Sequence, residues 1–179
     1  TIDHVQVSYC GDDAFEWFGG SVNCKHLIAY RALDDDFDTD FGYNGNIQFA
    51  FSVRDPEVAD VSASNGFEID NNGQGTGATP KTRPTFSNVT IVGPTGDVAS
   101  DYRRAAHIRR NSEPALFNSI LMGNYPVGIF IDGDSCANHA TANRIEVKNT
   151  FGAGPTSLLT TTNTVGFNVT NWFNTAGYG

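Results

Sequence analysis

The sequence predicts an all-β fold: a right-handed parallel β-helix of about six coils, interrupted by long loop insertions. Three observations carry that expectation. GDDAFEWFGG at Gly11–Gly20 returns as LDDDFDTDFG at Leu33–Gly42, with Asp13 matching Asp35, Phe15 matching Phe37, Glu16 matching Asp38 and Gly20 matching Gly42, each pair 22 residues apart. A fixed period of ~20–50 residues marks a repeat architecture. The phrase also alternates, Phe15 and Trp17 on one face and Glu16 and Phe18 on the other, which is the period of a strand. Finally, Gly19-Gly20 and Gly42 end each run after a few residues, too soon for a helix.

Taken in order, Ile2–Cys10 alternates as a strand, and adding 22 gives His26–Tyr30, so that His4 lies over His26 and Val5 over Leu27. The same shape recurs at Asn88–Gly93, Asn118–Gly123 and Arg144–Val147. The opening phrase returns at Gly66–Asp70 and Gly128–Asp132, keeping the strand and the acid but not the leading Asp pair. Stacked strands lie ~4.8 Å apart, and strands that recur in one direction build parallel sheets joined by short turns. The segments Arg54–Asn65 and Asn71–Pro84 are rich in turn-forming residues and read as loops. Gly93–Arg110 reads as a third excursion, carrying a basic run with Arg103, Arg104, Arg109 and Arg110. Trp172, Phe173 and Tyr178 are placed to close the lower end of the stack.

The length of 179 residues suits one domain, residues 1–179. Charged residues are 17% and glycines number 19, a balance that favours turns over helices. A formal net charge of −9 repels phosphate backbones, which argues against nucleic acid and anionic membranes as partners and favours cations or neutral glycans. No apolar run of ~18 residues is present to span a bilayer. Cys10, Cys24 and Cys136 are an odd set without zinc spacing, and they read as small buried hydrophobes. Thr1 starts directly on a strand pattern, so the chain reads as a piece of a longer protein that lacks upper coils. An uncapped first coil would then offer strand edges for end-to-end or edge association with another chain.

The acidic positions are the main chemical lead. Phe15, Phe37 and Phe67 alternate inward as core, which leaves Glu16, Asp38 and Glu68 in one outward column. Phe18, Asp40, Asp70 and Asp132 stand in the next. Asp38, Asp40, Glu68 and Asp70 thereby form a two-by-two carboxylate patch, and like charges ~5 Å apart need a counterweight. Arginines from the 103–110 run rank first, with Ca²⁺ among the same four carboxylates second and plain solvation third, since hard oxygen ligands are what Ca²⁺ takes. His4 and His26 pair either as metal ligands or as a hydrogen-bonded ladder at a coil corner. With no third ligand visible, the ladder is the expected reading. His107 and His139 are expected in loops. Outward apolar side chains (Phe18, Ile28, Tyr30, Val92, Ile120, Met122, Phe130) are expected to be covered by the long loops.

The phrases TIDHVQVSYCGDDAFEWFGG, NCKHLIAYRALDDDFDTDFGY, RDP at Arg54–Pro56, TRPTFSNVTIVGP and RRAAHIRRN resemble a group of bacterial right-handed β-helix proteins of uncharacterised function. Those proteins are secreted or held at the cell surface, exported by type IX or lipoprotein routes. The resemblance extends to about Asp134 and implies a fold and an extracellular or surface location, with no catalytic residues to carry over. Asp38-Thr39-Asp40 and Asp12-Asp13 look similar to polygalacturonase motifs, but they come in the wrong order. Gly-His-Gly is absent, and Arg144-Ile145-Glu146 ends in the wrong residue. The expected function is a non-catalytic structural or glycan-binding module, its partner a glycan or another surface protein. The alternative is a polysaccharide lyase or glycoside hydrolase, calcium-dependent in the lyase case with Arg83 or Arg109 as base.

Overall fold

The alternation within each repeat becomes a short strand, and successive repeats lay these strands side by side. The computed structural model describes residues 1–175. In chain order the first strands are β1 (Ile2–Ser8), β2 (Phe15–Phe18), β3 (Cys24–Tyr30), β4 (Phe37–Asp40), β5 (Asn46–Val53), β6 (Ser64–Ile69) and β7 (Thr85–Val92). There follow β8 (Tyr102–Ile108), β9 (Ala115–Phe117), β10 (Ile120–Met122) and β11 (Val127–Asp132). Helix α1 (Gly133–Thr141), strands β12 (Glu146–Lys148), β13 (Phe151–Ala153) and β14 (Ser157–Thr162) and helix α2 (Val169–Phe173) complete the set.

The strands form two sheets, and each coil gives one strand to each. One sheet runs β1-β3-β5-β7-β10-β13, with β9 and β12 beside it; the other runs β2-β4-β6-β8-β11-β14. Every pairing is parallel, so the chain is a parallel β-helix of six coils, as its repeat predicts. The 22-residue register holds between the first two coils, where Phe15 pairs with Phe37 and Val5 with Leu27, and the next step lengthens to 30 residues, from Phe37 to Phe67.

The core lies between the sheets. Phe15, Phe37 and Phe67 stack with ring centroids 5.8 and 5.5 Å apart, and Phe86 from the facing sheet closes on Phe67 at 4.9 Å. Phe37, Phe67 and Phe86 are fully buried, each removing apolar surface worth about 1.5–3 kcal/mol. A buried ion pair sits beside them: Arg54 meets Asp36 at 3.0 Å, and Ser52 Oγ donates to the other oxygen of Asp36 at 2.5 Å.

Several expectations are corrected here. Tyr102–Ile108, read as part of a loop, is a full strand of the second sheet, so His107 lies in a strand and His139 in a helix. Its arginines interrupt the alternation that marks the other strands, while Ala105 and Ala106 fit where adjacent coils approach closely. Strand β5 continues the first sheet although its Phe49 and Phe51 blur the apolar alternation. Helix α1 packs beside β11 and β14 and buries Cys136, Ala137 and Ala140, the first and last of them within the core. Phe18, Ile28 and Ile120 remain exposed rather than lying under loops, whereas Phe130 is buried between His107, stacked at 5.1 Å, and the Arg104 guanidinium. Cys24 and Cys136 are buried and all three cysteines are free thiols. Trp172 is buried in α2, while Tyr178 lies outside the described residues.

Candidate functional site

The second sheet turns its outward columns toward an open cleft of about 340 Å³ near its upper coils. The turn before β4 explains why acids collect there. Asp34, Asp35 and Asp36 follow one another through that turn and point three ways. Asp36 goes inward to Arg54, Asp34 takes a hydrogen bond from Ser62 at 2.8 Å, and Asp35 lines the cleft. One coil above, Asp13 accepts the Asp35 backbone N–H at 2.8 Å; one coil below, Asn65 donates its N–H and side-chain amide to Asp35 at 2.5 and 3.1 Å. Each coil thus holds the turn of the next through an aspartate.

Asp38 and Glu68 project from the adjoining strands into the same space, paired in register. Oxygens of Asp35, Asp38 and Glu68 all lie within 4.8 Å of one another, and the same holds for Asp13, Glu16 and Asp38 and for Asp12, Asp13 and Asp34. Asp38 Oδ1 is buried without a hydrogen-bond partner. Crowding and burial disfavour the charged forms. Burial first, then neighbouring Asp13 and Glu68, push the Asp38 carboxyl up to about 9. Burial raises Asp13 to about 7, and it raises Glu68 to about 7 against the pull of Arg109. Asp35, wholly enclosed, is held well above the usual carboxylate range by burial and by Glu68.

The four acids expected to form one patch separate into different roles. Glu68 and Asp70 are clamped by arginine: Arg109 pairs with Glu68 and donates Nε–H to Asp70 at 2.7 Å, while Arg110 reaches the other Asp70 oxygen at 2.8 Å. Asp38 has no arginine partner and lies in the cleft, and Asp40 accepts the Phe41 N–H at 2.6 Å outside it. Arg103 bonds to the Ser100 carbonyl and meets Asp101 at 3.7 Å, and Arg104 covers Phe130, so neither pairs with the four acids. Arg83 pairs with Glu113 at 2.8 Å and is not among the residues lining the cleft. Asp13, Asp34 and Asp35 join the cleft although strand alternation does not point to them. Their signal was the alignment of Asp13 with Asp35 at the repeat period, but a turn residue's direction does not follow strand alternation.

A second polar cluster lies on the first sheet. His4 and His26 stack at 4.3 Å, and both Nδ1 atoms sit 2.8 Å from Asp3 Oδ1, so the third partner the sequence did not reveal is Asp3.

Fold and site together define a parallel β-helix with a carboxylate-lined cleft on one sheet. The chain belongs to the pectate-lyase-like β-helix domain family, whose model matches residues 1–177. No curated protein and no solved structure matches it. No helix among the described residues is long and apolar enough to cross a membrane.

Proposed function

We propose that this chain is an extracellular module that binds acidic polysaccharide through Ca²⁺ held by Asp13, Asp35, Asp38 and Glu68. The observation that carries the reading is the convergence of the Asp35, Asp38 and Glu68 oxygens within 4.8 Å at an open cleft. Such a group keeps protons or takes a cation, and an all-oxygen set of carboxylates fits Ca²⁺. The ion would replace the protons on Asp38 and Asp35 and offer remaining positions to a uronate carboxylate. Arg110, half-exposed at the cleft with one nitrogen committed to Asp70, supplies donors suited to a second carboxylate. The bound cation and the two rim arginines offset locally the repulsion that a chain at −9 exerts on a polyanion.

Binding without cleavage is favoured because the basic residues at the cleft, Arg109 and Arg110, are both ion-paired, and Arg109 holds its proton more firmly than usual through Asp70 and Glu68 despite burial. A second reading rests on Asp38. A carboxyl that keeps its proton within 4.8 Å of Glu68 resembles the acid and nucleophile of a retaining glycosidase, ~5 Å apart.

The test is calorimetric titration of polygalacturonate, alginate and neutral xylan into the protein, with calcium or with EDTA, followed by a reducing-end and unsaturated-product assay. The expected outcome is calcium-dependent binding of a uronate polymer, lost in Asp38→Asn and weakened in Arg110→Gln, without product. Binding unaffected by EDTA and by Asp38→Asn would overturn the reading. Product formation abolished by Asp38→Asn would establish the second reading instead.

A further inference from the structure

The first sheet has a column of residues in left-handed backbone conformation, one per coil: His4 (φ 55°), His26 (52°), Phe49 (60°), Asn88 (58°), Asn118 (50°) and Asn149 (51°). The pairing register aligns them, since Val5 pairs with Leu27, Leu27 with Ala50, Ala50 with Val89, and Ile120 with both Thr90 and Phe151. Asparagine is among the residues that tolerate this conformation best, and it fills the lower three coils. Backbone geometry therefore does not demand imidazole in the first two.

What the imidazoles add is a convergent donor set. His4 Nδ1 and His26 Nδ1 each lie 2.8 Å from the same Asp3 oxygen, and all three residues are exposed. The two imidazoles stack at 4.3 Å with their planes 26° apart, and Phe49 continues the stack on His26 at 5.3 Å. His4 and His26 also line a shallow groove of about 420 Å³ on this sheet, so the cluster is open to solvent and to a further ligand.

We propose that Asp3, His4 and His26 form a three-ligand site for a divalent first-row transition metal, Zn²⁺ or Cu²⁺, with the remaining coordination position open. Two imidazole nitrogens and one carboxylate oxygen suit these ions and not Ca²⁺, which takes oxygen ligands. The site is independent of the acidic cleft on the other sheet in donor type, position and metal.

The test uses untagged protein and ZnCl₂ alone, titrated calorimetrically. The variants are His4→Asn, His26→Asn and the double change. Asparagine already occupies the same column in three other coils, so these variants keep the backbone conformation, which circular dichroism and Tm verify. The expected result is one saturable zinc site whose affinity falls by roughly tenfold or more in each single variant, as losing even an outer partner costs about 10–100-fold. Cu²⁺ electron paramagnetic resonance should show coupling to two nitrogens in the wild type and one in each single variant. Zinc affinity unchanged in the folded double variant, or a copper spectrum without nitrogen coupling, would overturn the assignment.

Discussion

Asp38 gives the acidic cleft a measurable pH signature. Burial and the neighbouring carboxylates lift its carboxyl from 3.8 to about 9. The proton is bound more tightly in the folded than in the unfolded chain. Its stabilising effect is therefore complete below the ordinary value and is lost as pH rises through about 9. Between about pH 6.5 and about pH 8 the folded Asp38 keeps its proton while the unfolded one has already released it. At 1.36 kcal/mol per unit, that interval removes about 2 kcal/mol of stability. Asp38→Asn cannot titrate, so the difference between wild type and variant isolates this loss from the titration of Asp13, Glu68, His107 and His139. For a chain of this length 1 kcal/mol moves Tm by about 2–4 °C, so in EDTA the wild-type Tm should fall about 4–8 °C more than the variant's across the interval.

Calcium should reverse the trend by displacing the proton. At about 100 times its Kd a ligand adds about 2.7 kcal/mol, and the gain should be larger at the higher pH and nearly absent in Asp38→Asn. Differential scanning calorimetry at several pH values, with EDTA and with calcium, measures both effects. Parallel wild-type and variant melting curves across the interval would refute the burial argument. Equal calcium gains in both proteins would place the cation elsewhere.

The remaining expectations concern the scaffold. Arg54→Met strands Asp36 in the core and should cost about 3–5 kcal/mol in urea denaturation, with Asp36→Leu in the same chain recovering most of it. Phe37→Ala removes the central ring of the stack and should cost about 3–5 kcal/mol by the same measurement. Gly66→Ala would bring a methyl group within 2.6 Å of the Ala105 carbonyl on the next coil, and the overpacking should cost about 1–3 kcal/mol, read as a lower Tm.

The parts of the fold legible in the sequence are those where one residue type recurs at one phase of the coil. Phe15, Phe37 and Phe67 show it: side chains that alternate inward must meet their counterparts on the next coil, and they do. Strand β8 was hidden for the opposite reason. Its run Arg103-Arg104-Ala105-Ala106 sets two charged residues beside two small ones, so neither its polarity nor its size alternates as in the other strands. The candidate site was half legible. Asp38 and Glu68 lie on strands, where alternation fixes direction, and both face the cleft. Asp34 and Asp35 lie in a turn, where adjacent side chains diverge by local geometry, so their convergence with Asp38 needed coordinates. Arg109 follows β8, and its pairing with Glu68 and Asp70 depends on that strand being in the sheet.

The two polar columns set a contrast that bears on why the acids are there. A coil corner needs residues that satisfy one another between turns, and asparagine does this on the first sheet without net charge, as Asn149 donating to Asn118 at 3.3 Å shows. On the second sheet the corresponding work of joining turns is done by Asp13 and Asp35, although a carboxylate there must be desolvated beside others like it. Asp38 adds a buried oxygen that bonds to nothing and contributes no turn contact. An amide at that position would avoid the charge and keep the shape. A solenoid built for rigidity alone gains nothing from this concentration of acids, whereas one that admits a cation between coils turns the same repulsion into affinity. On the proposed function, the cost of crowding these carboxylates near neutral pH and its expected relief by calcium are two sides of one arrangement of Asp13, Asp35, Asp38 and Glu68.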